Sequence, residues 1–161
     1  MKRFLVVGFL MMGLAAASCS PRPKAGTVAP DFTLPLLSNE SEQMTLSEAV
    51  REQPVLLVFW ASWCPPCVEE IPALNDLHEK FASKGLRIVG VDVQEDRKDV
   101  MDFAKKQPIR YPVLLDQEGK VADRFGLTGV PAAVFVAKGG EILYYGFSLP
   151  AHLDQLLHQE R

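Results

Sequence analysis

The run PVLLVFWAS at positions 54–62, followed at once by WCPPC at 63–67, is the tightest constraint on this chain. From Val55 to Ala61 no polar residue interrupts the apolar stretch, which fits a strand covered on both faces. Such a strand lies inside a sheet with layers above and below it, which demands an α/β architecture. The next residues then open a helix, with Cys64 at the N-cap, Pro65 at N1, Pro66 at N2 and Cys67 at N3. Proline suits N1, where the missing N–H would have no partner anyway. Pro66 biases Pro65 away from helical angles, so an imperfect first turn is expected. Ala73, Leu74, Leu77 and Phe81 recur at helical spacing, and Gly85 reads as the stop.

The flanking segments complete that architecture. Residues 31–37 (DFTLPLL) read as an edge strand because Pro35 interrupts them. Thr45 with Glu48 makes a capping-box pattern at the head of a short helix. Strands are predicted at 87–93, 111–116, 130–138 and 141–147, and helices at 97–107, 121–125 and 151–159. Gly139-Gly140 marks a hairpin between the last two strands. Strand–helix alternation ending in a hairpin predicts a mixed central sheet flanked by helices.

The first residues carry an address. Lys2 and Arg3 precede the apolar run FLVVGFLMMGLAAA and then small residues, the pattern of a secretory signal peptide. Ala16-Ala17-Ser18-Cys19 resembles a bacterial lipobox, although that pattern usually has Leu where Ala16 stands. Lipidation of Cys19 is one outcome; ordinary cleavage after Ala17, leaving a free thiol, is the other. The expected organisation is a signal peptide over 1–18, a tether over 19–29 (SPRPKAGTVA from residue 20) and one domain over 30–161. Cleavage before Cys19 leaves 143 residues, with 15 basic against 20 acidic and a net charge of −5. No basic stripe remains for phosphates, which argues against nucleic acid as a partner.

The chemistry lies in the two paired cysteines. At the N-cap, the Cys64 sulfur faces the positive end of a helix and the Cys67 N–H, and both favour thiolate. This placement is expected to expose Cys64 and bury Cys67, so that one sulfur attacks and the other resolves. A structural disulfide across so short a loop would add little stability. Half of a zinc site would need a second CxxC or CxxH, and His78, His152 and His158 are scattered. A CxxC beside a βαβ pattern is a redox signal. A dithiol that carries copper, with Cys64, Cys67 and His152 as candidate ligands, is the alternative reading. No cofactor is expected for the redox reading.

FWASWCPPC, then Glu70 and Pro72, then GLTGVP resembles the thioredoxin superfamily, and within it the TlpA/ResA-like thiol–disulfide oxidoreductases of the bacterial envelope. The likeness runs from APDFTL at residue 29 to the last helix. It implies a thioredoxin-like fold with an N-terminal strand extension and an extra helix and strand near residues 95–119. It also implies Cys64 as nucleophile, Cys67 as resolving thiol, and a cis-proline loop at Val130-Pro131. Trp63, Pro65, Val130 and Pro131 would then meet substrate, and Trp60 would sit in the core. APDFTL is shared with peroxiredoxins, but those carry threonine where this chain has Ala61. Thioredoxin's buried aspartate is replaced by Val58, and an acidic residue frequent after the cis-proline strand is replaced by Ala137 before Lys138. With Val58 unable to move protons, Glu70 stands one helical turn beyond Cys67 as the candidate base, while Glu69 points elsewhere. The resemblance implies disulfide-bearing protein substrates, with reduction of the disulfide between the haem-binding cysteines of apocytochromes c one use of the fold. An oxidising compartment calls for a membrane thiol–disulfide reductase as electron donor, and the lipobox-like segment before Cys19 leads us to expect a periplasm-facing protein held to the membrane by lipid alone.

Overall fold

The computed structural model describes residues 23–159; the expected signal peptide and the expected lipidation at Cys19 fall outside them. The elements in order are β1 (Thr33–Pro35), β2 (Gln43–Thr45), α1 (Leu46–Glu52), β3 (Val55–Trp60), α2 (Pro65–Ala82) and β4 (Arg87–Val93). There follow α3 (Arg97–Ala104), β5 (Val113–Asp116), α4 (Lys120–Arg124), β6 (Ala132–Val136), β7 (Ile142–Gly146) and α5 (Leu153–Gln159). Five strands form one sheet in the order β5-β4-β3-β6-β7, with β3 at its centre. β4 runs parallel to β3 and to β5, and β6 runs antiparallel to β3 and to β7. This is the mixed, helix-flanked sheet expected, with α3 and β5 as the inserted helix and strand.

Every residue of β3 is buried, as the unbroken apolar run requires. Alternate residues go to opposite sides. Leu56, Val58 and Trp60 meet α2, α3 and α5; Val55, Leu57 and Phe59 meet α1 and α4. Beyond α2 the chain reverses at Gly85, whose φ of +81° lies in the left-handed region that glycine occupies without strain.

The N-terminal segment closes both edges of the sheet. Leu36 bridges Leu114, the Leu37 N–H donates to the Val113 carbonyl, and the Arg97 guanidinium donates to the Leu36 and Leu37 carbonyls. On the β7 side, Gly26 N–H donates to Ile142 O, Ile142 N–H to Thr27 O, and Ala29 N–H to Gly140 O, each at 2.8 Å. The expected tether over 19–29 is therefore too long, since residues 26–29 belong to the fold. An edge strand leaves main-chain groups without partners, and this segment supplies them.

Several local expectations shift. β2 was not foreseen; it pairs with β1 as a separate hairpin. Thr45 is the N-cap of α1 but makes no side-chain cap, because its hydroxyl pairs with that of Thr33 at 2.9 Å. The Asp31 carboxylate takes the Ser47 N–H at 2.8 Å instead. The strand expected from 130 starts at Ala132, after a loop with a cis Val130–Pro131 peptide, and α3 ends at Ala104.

Candidate redox-active site

Cys64 is the N-cap of α2 and Pro65 and Pro66 fill its first two positions, as the sequence predicts. The first turn is nevertheless regular: Val68 N–H reaches the Cys64 carbonyl at 3.1 Å, and Cys67 N–H reaches Cys64 Sγ at 3.3 Å. The prolines cost nothing here, because N1 and N2 amides have no helical acceptor to lose. The two cysteines form a disulfide with S–S 2.07 Å and Cα–Cα 5.3 Å.

The expected contrast in exposure is absent. Cys64 is 3% exposed and Cys67 2%. The exposed groups are the neighbours: Trp63 stands 65% in solvent, and Pro65 and Pro66 are exposed. Helix position alone does not set sulfur burial, because Cys64 also belongs to the cluster that contains Trp60, Ile71 and Tyr111. Trp60 is core, as expected, its ring 5.7 Å from that of Phe103.

Trp63 and Val130 line one groove of about 310 Å³, shared with Gln94, Leu127 and Thr128. The groove thus joins the residue before Cys64 to the residue before Pro131. On the other flank, Glu70 is half-buried and burial raises its pKa, while Glu69 is exposed. Glu70 acts on Tyr111, whose hydroxyl is pushed up first by burial and then by the Glu70 charge. The Tyr111 and Trp60 rings close over Gly90, where a Cβ would lie 2.9 Å from Tyr111 and 3.0 Å from Trp60. Val58 is a buried strand residue with no proton to offer.

Sequence reasoning passed over Asp92. It lies on β4 in register with Trp60 and with Leu115, fully buried, and neither carboxyl oxygen has a hydrogen-bond donor. Burial, then the Glu95 carboxylate as acceptor and as a nearby charge, then the charge of Asp116, push it up to about 9. Glu95 accepts the Ser62 N–H and the Ser62 hydroxyl, each at 2.5 Å. The available signal was an acid inside the apolar stretch GVDV. Among the described residues no three His, Cys, Asp or Glu side chains gather as metal ligands, and His152 is exposed ahead of α5.

Residues 25–145 match the AhpC/TSA family. The thiol–disulfide oxidoreductase ResA of Oceanobacillus iheyensis is 35% identical over 120 residues, which is 74% of this chain and 62% of that relative's length. A crystal structure of a thiol:disulfide interchange protein DsbE from Chlorobium tepidum, described there as putative, superposes with TM-score 0.72 at 29% identity, covering 86% of this chain and 95% of that one. Peroxidoxin BcpB from Mycobacterium tuberculosis superposes with TM-score 0.71 at 27% identity, covering 87% and 97%. With a CxxC disulfide at the head of α2 and a cis-proline loop beside it, the chain belongs to the AhpC/TSA family and is similar to thiol–disulfide oxidoreductases of the ResA type, of whose length it spans less than two thirds.

Proposed function

We propose that this chain is an envelope thiol–disulfide oxidoreductase that reduces disulfides in other proteins. The observation that carries the reading is the Cys64–Cys67 disulfide at a helix N-terminus, next to a groove that Trp63 shares with Val130. In the reduced protein, the Cys64 thiolate attacks one sulfur of a substrate disulfide and expels the other as a thiolate. Cys67 then loses its proton to Glu70 and attacks Cys64 Sγ. The second substrate thiolate leaves, and the protein ends as the disulfide seen here, two electrons poorer. Trp63 and Pro65 offer an exposed apolar platform, and the Val130 backbone beside Pro131 pairs with an extended substrate segment.

Pro65 and Pro66 take away two N–H groups that could stabilise a Cys64 thiolate. The reduced form is then favoured less than in DsbA, at roughly −120 mV, and the potential lies nearer that of thioredoxin, roughly −270 mV. In an oxidising compartment such a protein needs a membrane thiol–disulfide reductase to recharge it. Lipid on Cys19 would hold it at the membrane; no helix among the described residues is long and apolar enough to cross one.

The likeness to a peroxidoxin favours one competitor, hydroperoxide reduction. Buried Ala61, where peroxiredoxins place a threonine, speaks against it. The deciding experiment incubates reduced Cys67→Ser protein with insulin, beside wild type with a thiol reductant. The expected results are a stable mixed disulfide through Cys64 in the variant and insulin reduction by wild type. Hydroperoxide turnover faster than insulin reduction, or a copper-loaded purified protein with an inert dithiol, would overturn the reading.

A further inference from the structure

Below the loop that presents Trp63 and Cys64 lies a pair of carboxyl groups. Glu95, in the turn after β4, holds both the backbone N–H and the hydroxyl of Ser62, two residues ahead of Cys64 and 33 away in sequence. Asp92 stands on β4 within hydrogen-bond reach of Glu95 and fully out of solvent. No donor serves either Asp92 oxygen. The titratable groups that act on it are Glu95 from the turn and Asp116 from β5, both acidic. Arg97 at the head of α3 is committed to the Leu36 and Leu37 carbonyls, and the two cysteines are tied in an uncharged disulfide.

A buried carboxylate with no donor and two acidic neighbours keeps its proton. Glu95 already uses both oxygens as acceptors for Ser62, so the proton of the pair resides on Asp92. We propose that Asp92 is a positioning residue for the dithiol: its acid O–H donates to Glu95, Glu95 holds Ser62, and Ser62 sets the loop that places Cys64. When Asp92 gives its proton to solvent, two negative charges face each other in a buried site. Glu95 then withdraws from Ser62, and the loop over the buried disulfide loosens.

This inference rests on the Cys64–Cys67 pair being redox-active, and not on the direction of electron flow or on any substrate. The test uses the full oxidised chain, ¹³C- and ¹⁵N-labelled, from about pH 6 to about pH 10, a range that lies above ordinary carboxyl titration. The Asp92 carboxyl is expected to titrate in the alkaline part of that range, and the Ser62 amide proton to move upfield with the same midpoint. Over the same interval, the rate of disulfide reduction by tris(2-carboxyethyl)phosphine should rise about threefold relative to Asp92→Asn, which is a fraction of one hydrogen bond's net worth. Asp92→Asn keeps a donor for Glu95 but cannot titrate, so its Ser62 amide should stay in place. Glu95→Gln removes the neighbouring charge and should lower the Asp92 midpoint. If Asp92→Asn fails to fold, the wild-type titration and Glu95→Gln decide. An Asp92 carboxyl already ionised near pH 6, or a Ser62 amide that stays still while Asp92 titrates, overturns the proposal. Insulin reduction by wild type near neutral pH is untouched by either outcome, so a failure here is separable from a failure of the oxidoreductase reading.

Discussion

On the α1 and α4 side of the sheet, Phe125 meets Phe32 edge-on at 6.2 Å and Phe59 at 5.3 Å, among buried Val, Leu and Ala. On the α2, α3 and α5 side, the same strands cover a disulfide and a Trp60 N–H without an acceptor, and Asp92 lies in register with that Trp60. The two buried aspartates put the contrast in one residue type. Asp116 takes the Val121 N–H at 3.0–3.1 Å and the Ala122 N–H at 2.8 Å, and so caps α4. Asp92, one strand over, has no donor. One carboxyl satisfies a helix end; the other holds a proton near a reactive loop. The comparison teaches that stability and chemistry are divided between faces, since an apolar layer can be packed for density alone while a reactive one must leave polar groups poised.

The largest break in this comparison is expected from Phe59→Ala. Removing a ring buried from all sides should cost about 3–5 kcal/mol in urea unfolding and leave the Cys64–Cys67 potential unchanged in glutathione equilibration. A shifted potential would mean that the two faces are not separable. The aspartates come next. Asp116→Ala should destabilise by about 1–3 kcal/mol at neutral pH, because two amides lose their acceptor. Asp92→Asn should behave oppositely as pH rises. Its folded value is raised to about 9 from an ordinary 3.8, so the native state keeps a proton that the unfolded chain has released. Wild-type stability should therefore fall with pH across that window, by at most about 1.4 kcal/mol per unit, and the Asn variant should escape the fall. Parallel stability–pH curves for the two proteins would erase the distinction between the acids.

The smallest effect sharpens the reactive face itself. Glu70→Gln should slow resolution of a trapped mixed disulfide roughly tenfold near pH 7, below the roughly hundredfold usual for loss of a general base, with partial rescue as Cys67 ionises unaided at higher pH. Exposed Glu69→Gln should change nothing. Stopped-flow decay of a labelled mixed disulfide would read both, and equal rates for all three proteins would leave Glu70 as a helix-end charge.

Much of the fold was legible because it rests on local pattern. The Val55–Trp60 run, the Gly85 stop and the N-cap at Cys64 each follow from a few adjacent residues. What escaped depends on distant segments meeting. Thr45 looked like a cap until Thr33 engaged its hydroxyl, and residues 26–29 looked like a linker until β7 needed partners. In the site, the paired cysteines could be read from spacing along one helix, and the same spacing makes Glu70 the proposed base. The cis bond at Pro131 was reachable through family likeness and not from the residues alone. Asp92 was hidden because its meaning comes from Ser62 and Glu95, which the chain brings together from opposite ends of α2 and β4.

The hydrogen bonds that fasten Gly26 and Ala29 to the β7 side also set a length. Six residues separate Cys19 from Gly26. Fully stretched, at about 3.3–3.6 Å per residue, that stretch reaches about 25 Å. A lipid on Cys19 would leave the domain on so short a leash that it could turn but not travel. Substrates would have to come to the membrane surface, and a membrane-embedded electron donor would always be within a domain's width.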